Sequence, residues 1–124
     1  MVPGPACSAL GELLDVASVR ARDIDLAATA LTDGTTALTW QQYTDRVGHM
    51  AGSLAACGVG LGDRVAVHLH KSVESFVAVH AVLRVGAVMV PLDPLAPPDL
   101  TSNLLLDAGV EVLLTDARPD ALAQ

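Results

Sequence analysis

Leu83-Arg84-Val85-Gly86-Ala87-Val88-Met89-Val90-Pro91-Leu92-Asp93-Pro94 contains a helix end, a strand and a turn in one short run. Gly86 suits the left-handed stop that closes a helix. Ala87 to Leu92 is a continuous apolar run, which reads as a buried strand. Asp93-Pro94 closes it, because a residue before proline is pushed out of the helical region and aspartate favours turns. A helix, one glycine and a strand make up half of a βαβ unit.

The sequence on either side completes the pattern. Upstream, Val65-Ala66-Val67-His68-Leu69 is a strand, and Ser72 caps a helix whose stripe is Phe76, Val79 and Leu83. Downstream, Pro97 and Pro98 open another helix, where first-turn amides are unpaired in any case. Leu100, Leu104 and Ala108 give that helix an inner face, Gly109 stops it, and Val110 to Thr115 forms a last strand. Strand, helix, strand, helix, strand with short links predicts a parallel sheet with flanking helices, the α/β class.

The earlier part of the chain adds a hairpin and a longer helix. Ala28 to Leu31 and Ala37 to Thr39 read as strands around Thr32-Asp33-Gly34-Thr35-Thr36, and an Asp-Gly pair between apolar runs signals a hairpin. Thr39 and Gln42 have capping-box spacing. Trp40, Tyr43, Val47, Met50, Leu54 and Cys57 then recur every three or four residues as one buried face, ended by Gly58. Ser8 starts a first helix with Leu10, Leu13, Leu14 and Ala17 in its stripe. The expected organisation is an arm over residues 1–9, one α/β segment over 10–116 and a tail over 117–124.

Composition excludes several function classes. Aromatics are 2% and hydrophobic residues 52% of the 124 residues, so the core is built from Ala, Val and Leu. A formal charge of −7, with Lys71 the one lysine, argues against nucleic acid, whose phosphates need clustered Lys and Arg. Cys7 and Cys57 have no metal-ligand spacing and fit a reduced, cytoplasmic setting. No basic-then-apolar leader opens the chain, and Phe76 to Leu92, broken by His80, Arg84, Gly86 and Pro91, falls short of a membrane span. The Ala, Val and Arg usage fits a GC-rich bacterial gene.

Several features imitate functional sites. Gly58-Val59-Gly60-Leu61-Gly62 leaves a helix and enters a strand, the reverse of a dinucleotide loop, so it reads as a helix stop. Asp33-Gly34-Thr35-Thr36 is followed by Ala37-Leu38 and lacks the glycine and lysine of a phosphate loop. His68 and His70 share one face of a strand, yet no Asp, Glu or Cys at a supporting spacing completes a metal set. His80 sits between Phe76 and Leu83 and reads as a hydrogen-bonded core histidine. Asp93, Asp116 and Lys71 fall just past strands, where open α/β sheets bind ligands. The plainer reading makes Asp93 a turn initiator and leaves the other two solvated.

The assembled string resembles the front of AMP-forming, acyl-activating ligases, the superfamily of amino-acid adenylation domains and acyl-CoA synthetases. Leu38-Thr39-Trp40-Gln41-Gln42-Tyr43 is similar to the first core motif, and Gly58 through Val67 to the segment that follows it. His70-Lys71-Ser72-Val73-Glu74 matches a basic-Ser-x-Glu helix start. Leu83 to Pro94 is similar to the second core motif, with Asp107-Ala108-Gly109 and Leu113-Leu114-Thr115-Asp116 in register. The departures are Met89 for a common tyrosine, Thr101 for a common arginine and no proline near Asp23.

The resemblance implies the first part of a large N-terminal domain. In that family ATP and a carboxylic acid form an acyl-adenylate, and the acyl group passes to a thiol. ATP and magnesium are expected for a complete enzyme and neither for this chain alone, because the family's phosphate loop, nucleotide motifs and C-terminal lysine lie further along. No catalytic, cofactor-binding or metal residue is therefore assigned, and the chain is expected to be inactive alone. Its expected partner is the remainder of the ligase, in the same or a second chain, with self-association open to it through bare strand edges. Two alternatives stand beside this: a non-catalytic partner module derived from such a ligase, and an unrelated flavodoxin-like binder.

Overall fold

The computed structural model describes residues 25–116. The expected arm, first helix and tail lie outside those residues. Within them the order is β1 (Thr29–Thr32), β2 (Ala37–Thr39), α1 (Trp40–Ala56), β3 (Arg64–His68), α2 (Val73–Arg84), β4 (Val88–Pro91), α3 (Pro98–Ala108) and β5 (Val112–Thr115). β1 and β2 form an antiparallel hairpin, and the other strands form a parallel sheet in the order β4-β3-β5. The α/β architecture expected from the sequence is thus present.

Local chemistry sets the element ends. Thr39 Oγ1 accepts from the Gln42 amide at 3.2 Å and the Gln42 side chain accepts from the Thr39 amide at 2.9 Å, the capping box read from the sequence. Ser72 and Ser75 make the same reciprocal pair at the start of α2. Gly86, at φ +79°, ends α2 while its amide bonds Leu83 and the Ala87 amide bonds Val82. A Cβ there would lie 2.9 Å from Leu61 Cδ1, so glycine is required by shape as well as by φ. Arg64 reaches the Ala108 carbonyl, satisfying the end of α3.

β3 is the buried centre. Val65, Ala66, Val67 and His68 are all inaccessible, as a middle strand covered on both faces must be. Val65 and Val67 join Val47, Leu54, Val77, Ala78, Ala81 and Val82 in the main core, with Met89, Val112 and Leu114 packed against it. Ala66 and His68 point the other way, as strand alternation demands. Parallel crossovers are nearly always right-handed, so the step from β3 to β4 and the reverse step from β4 to β5 put α2 and α3 on opposite faces.

Four expectations about burial need correction. The inner positions of α2 are Val73, Val77, Ala78, Ala81 and Val82, whereas Phe76 is 46% exposed and Val79 and Leu83 are half-buried. α2 is wedged between α1 and the sheet, and close approach on two sides favours Ala and Val over Phe. On α3, Leu100 and Leu104 are 49% and 42% exposed, and the inward residue is Thr101. Cys57 caps α1 in the open rather than closing its buried face. The span read as a buried strand over Ala87 to Leu92 holds β4, which among the described residues is an edge strand, with Val88 and Pro91 exposed.

Candidate functional site

The carboxyl ends of β3, β4 and β5 gather the polar residues that the sequence placed past strands. The chain winds from β3 to β4 in one direction and then crosses to β5 on the far side. The switch in winding falls between β3 and β5, the position where open α/β sheets form ligand crevices.

Two side-chain pairs bridge that point. His68 and Thr115 are register partners, and His68 Nδ1 lies 2.9 Å from Thr115 Oγ1. One step further out, Asp116 Oδ2 accepts from the His70 backbone amide at 3.2 Å and lies 3.0 Å from His70 Nδ1. The His70 side chain, then its amide, lowers the Asp116 pKa below the ordinary aspartate value, since both stabilise the ionised carboxylate. Asp116 is exposed, as the solvated reading has it, and is paired with His70 as well. β3 ends at His68, so His70 lies beyond the strand and the two histidines bond to different partners. No group of three His, Cys, Asp or Glu capable of holding a metal occurs among the described residues.

Asp93 behaves as the sequence implies. Its Oδ1 accepts from the Leu95 amide at 2.9 Å and its carbonyl from the Ala96 amide at 3.1 Å, an Asp-Pro turn. Between this turn and the start of α2 lies an open cavity of about 480 Å³, walled by Leu69, Phe76, Met89 and Leu92 with Lys71 at its rim. His80 Nδ1 lies 3.3 Å from the Tyr43 hydroxyl, in keeping with a hydrogen-bonded histidine between helices.

The hairpin tip carries a contact that the sequence did not announce. Asp33 Oδ1 accepts from the Thr35 and Thr36 amides at 2.9 and 2.8 Å, the turn expected of Asp-Gly. Its Oδ2 accepts from the Val73 amide at 3.2 Å, in the first turn of α2. The Thr36 amide, then those of Thr35 and Val73, lowers the Asp33 pKa. Arg46 of α1 and Glu74 of α2 form an ion pair beside it. Neither long-range partner has a local sequence signal, because each joins elements that meet only after folding.

The glycine-rich Gly58 to Gly62 stretch closes α1 and leads into β3, with Gly58 at φ +87°. It leads into a strand rather than a helix, in keeping with the helix-stop reading. No helix of the described residues is long and apolar enough to cross a membrane.

A parallel sheet reversed in winding at its central strand, with an N-terminal hairpin strapped to its first crossover helix, is a doubly wound α/β architecture. Comparison with known proteins makes the assignment specific. The chain belongs to the AMP-binding enzyme family, whose sequence model matches residues 20–124.

Among curated proteins it is 38% identical over 96 residues to the L-proline–[L-prolyl-carrier protein] ligase of Pseudomonas fluorescens. It is 37% identical over 112 residues to the phosphinothricin tripeptide synthetase PhsB of Streptomyces viridochromogenes. These matches cover 77% and 90% of the chain but span 19% and 9% of the relatives' lengths.

The N-terminal subdomain of Klebsiella oxytoca NpsA, solved with 3-hydroxyanthranilyl-AMSN, superposes with a TM-score of 0.76 at 27% identity, over 88% of this chain and 27% of that one. The N-terminal domain of FACL13 from Mycobacterium tuberculosis gives 0.74 at 25% identity, over 86% and 26%. The match is thus to the N-terminal region of adenylate-forming ligases, as the resemblance implied.

Proposed function

We propose that this chain supplies the opening part of the N-terminal domain of a ligase that activates a carboxylic acid as its acyl-adenylate and passes the acyl group to a thiol. The observation that carries the reading is the continuous family match over residues 20–124, together with a fold shared with adenylating N-terminal subdomains. The peptide-synthetase relatives favour an amino acid over a fatty or aryl acid.

In this reading the segment is scaffold. Adenylation needs donors that cradle phosphates and a cation that offsets their charge. The described residues do not fit that group. The start of α2, which would attract an anion, already holds the Asp33 carboxylate. α1 is closed by its own capping box, and α3 begins with Pro97-Pro98 followed by Asp99. Lys71 is one cation on an open rim. ATP and magnesium are therefore assigned to residues outside the described ones, and no step of the reaction is given to these.

The test is ATP–pyrophosphate exchange by two proteins. One is the 124-residue chain alone, for which no acid should support exchange. The other is a chimera in which the chain replaces the matching part of the P. fluorescens proline ligase, and this should exchange in the presence of proline. A soluble, folded chimera without exchange, or exchange by the chain alone, would overturn the assignment.

A further inference from the structure

The hairpin tip holds the one Asp-Gly bond of the sequence, Asp33-Gly34, and the sequence has no Asn-Gly. Such a bond is open to isomerisation, because glycine has no side chain to shield its amide nitrogen. That nitrogen attacks the side-chain carboxyl carbon of the preceding aspartate. The N–Cγ bond forms, the Cγ–OH bond breaks, and water leaves with the amide proton. Hydrolysis of the five-membered imide then returns the water at either carbonyl. One product is aspartate; the other is isoaspartate, in which the main chain runs through Cγ and the free carboxylate sits on Cα.

Exposure permits this reaction and hydrogen bonding opposes it. Asp33 and Gly34 are exposed, Gly34 stands at φ +88°, and a Cβ on it would meet nothing within 4 Å. Both reacting groups are nevertheless engaged. The Gly34 amide donates to Thr32 Oγ1 at 3.2 Å. The Asp33 carboxylate accepts from the Thr36, Thr35 and Val73 amides, which keep it ionised to lower pH than an ordinary aspartate. An ionised carboxylate is a poor electrophile, since water can leave only from the protonated acid. Two of the three donors lie within the turn. The third, Val73, belongs to α2 and holds Asp33 only while the hairpin lies against that helix.

We propose that Asp33-Gly34 is a site of aspartate isomerisation gated by the docking of the hairpin on α2. The bond is protected while Asp33 holds the Val73 amide and isomerises when the hairpin lifts away. The change then perpetuates itself. Isoaspartate lengthens the main chain by a methylene and moves the carboxylate onto Cα, so the same amides no longer meet it and α2 loses its additional cap.

Timed incubation of the 124-residue chain in warm neutral buffer, native and in guanidinium chloride, tests this. Tandem mass spectrometry of the tryptic peptide 23–46 counts isoaspartate at position 33. Slow amide exchange at β3 marks a folded sample, and the chimera above serves in place of the chain if the chain alone lacks it. Isoaspartate should form at least about ten-fold more slowly in the native protein, since the reaction must pass through an opened hairpin. Val73→Pro removes the amide that holds Asp33 Oδ2, and proline suits a first helical position after the extended Ser72. With β3 still protected, this variant should isomerise several-fold faster than the native protein. Should it unfold, the comparison of native and denatured samples decides alone. The isomerised protein, separated by ion exchange, should melt a few degrees below the unreacted one. Equal rates in native and denatured samples, no isoaspartate at position 33 in the denatured one, an unchanged rate in folded Val73→Pro or an unaltered melt after isomerisation would each overturn the proposal.

Discussion

The carboxylate of Asp33 accepts a hydrogen bond from the backbone amide of Val73, forty positions away, so the hairpin tip acts as an additional cap on α2. The charge stabilises the positive end of a helix dipole and satisfies a first-turn amide that has no partner within the helix. It also straps β1 and β2 to the first crossover unit.

Asp33→Asn should therefore lower the melting temperature at neutral pH by a few degrees. The sign of the pH effect follows from the lowered pKa of Asp33 in the folded chain. A depressed folded value stabilises above the unfolded aspartate pKa of about 3.9 and is lost as pH falls through the folded value. The difference between wild type and variant should thus shrink as pH falls below the ordinary aspartate range, and a difference that does not shrink on acidification would show that the charge is not responsible.

The inner face of α2 is tested by substitution. Val82 is fully buried, and Val82→Ala should cost about 2 kcal/mol through lost burial and a residual cavity. Phe76→Ala, at a site 46% exposed, should cost less than about 1 kcal/mol despite removing a larger side chain. Urea unfolding of the two variants measures both. The reverse order would restore the stripe of Phe76, Val79 and Leu83 as the inner face.

That stripe shows how much of the fold was legible. The hairpin, the three helices and the three parallel strands of residues 25–116 follow from Asp33-Gly34, one capping box, the Ser72 cap, the Pro97-Pro98 start and the glycine stops, all local chemistry. The inward faces do not, because a chain so rich in Ala, Val and Leu offers several apolar stripes at helical spacing. Which one turns inward is decided by how closely α1 and the sheet approach, a tertiary matter. The candidate site was legible as an edge, through Asp93, Asp116 and Lys71. The joining of His70 to Asp116 was not, because strand order sets it.

Gly86→Ala should destabilise by about 1–2 kcal/mol, the cost of holding a side chain in the left-handed region. The crowding against Leu61 adds to this. A thermal melt that does not shift would mean that the turn from α2 to β4 relaxes freely.

The exposed His70–Asp116 pair should contribute little to stability. A double-mutant cycle with His70→Ala and Asp116→Asn should give a coupling below about 1 kcal/mol, reduced further in high salt. The lowered pKa of Asp116 places the loss of this coupling on acidification, below the ordinary aspartate range. A coupling of several kcal/mol would give the switch point a structural weight that its exposure does not suggest.

The central claim is that these residues work as the first part of a complete acid-activating ligase. An antibody against the segment should capture, from the source cells, a polypeptide several times larger than 12.7 kDa that catalyses acid-dependent ATP–pyrophosphate exchange. Capture of a 12.7 kDa chain alone, with no second polypeptide and no exchange, would contradict it.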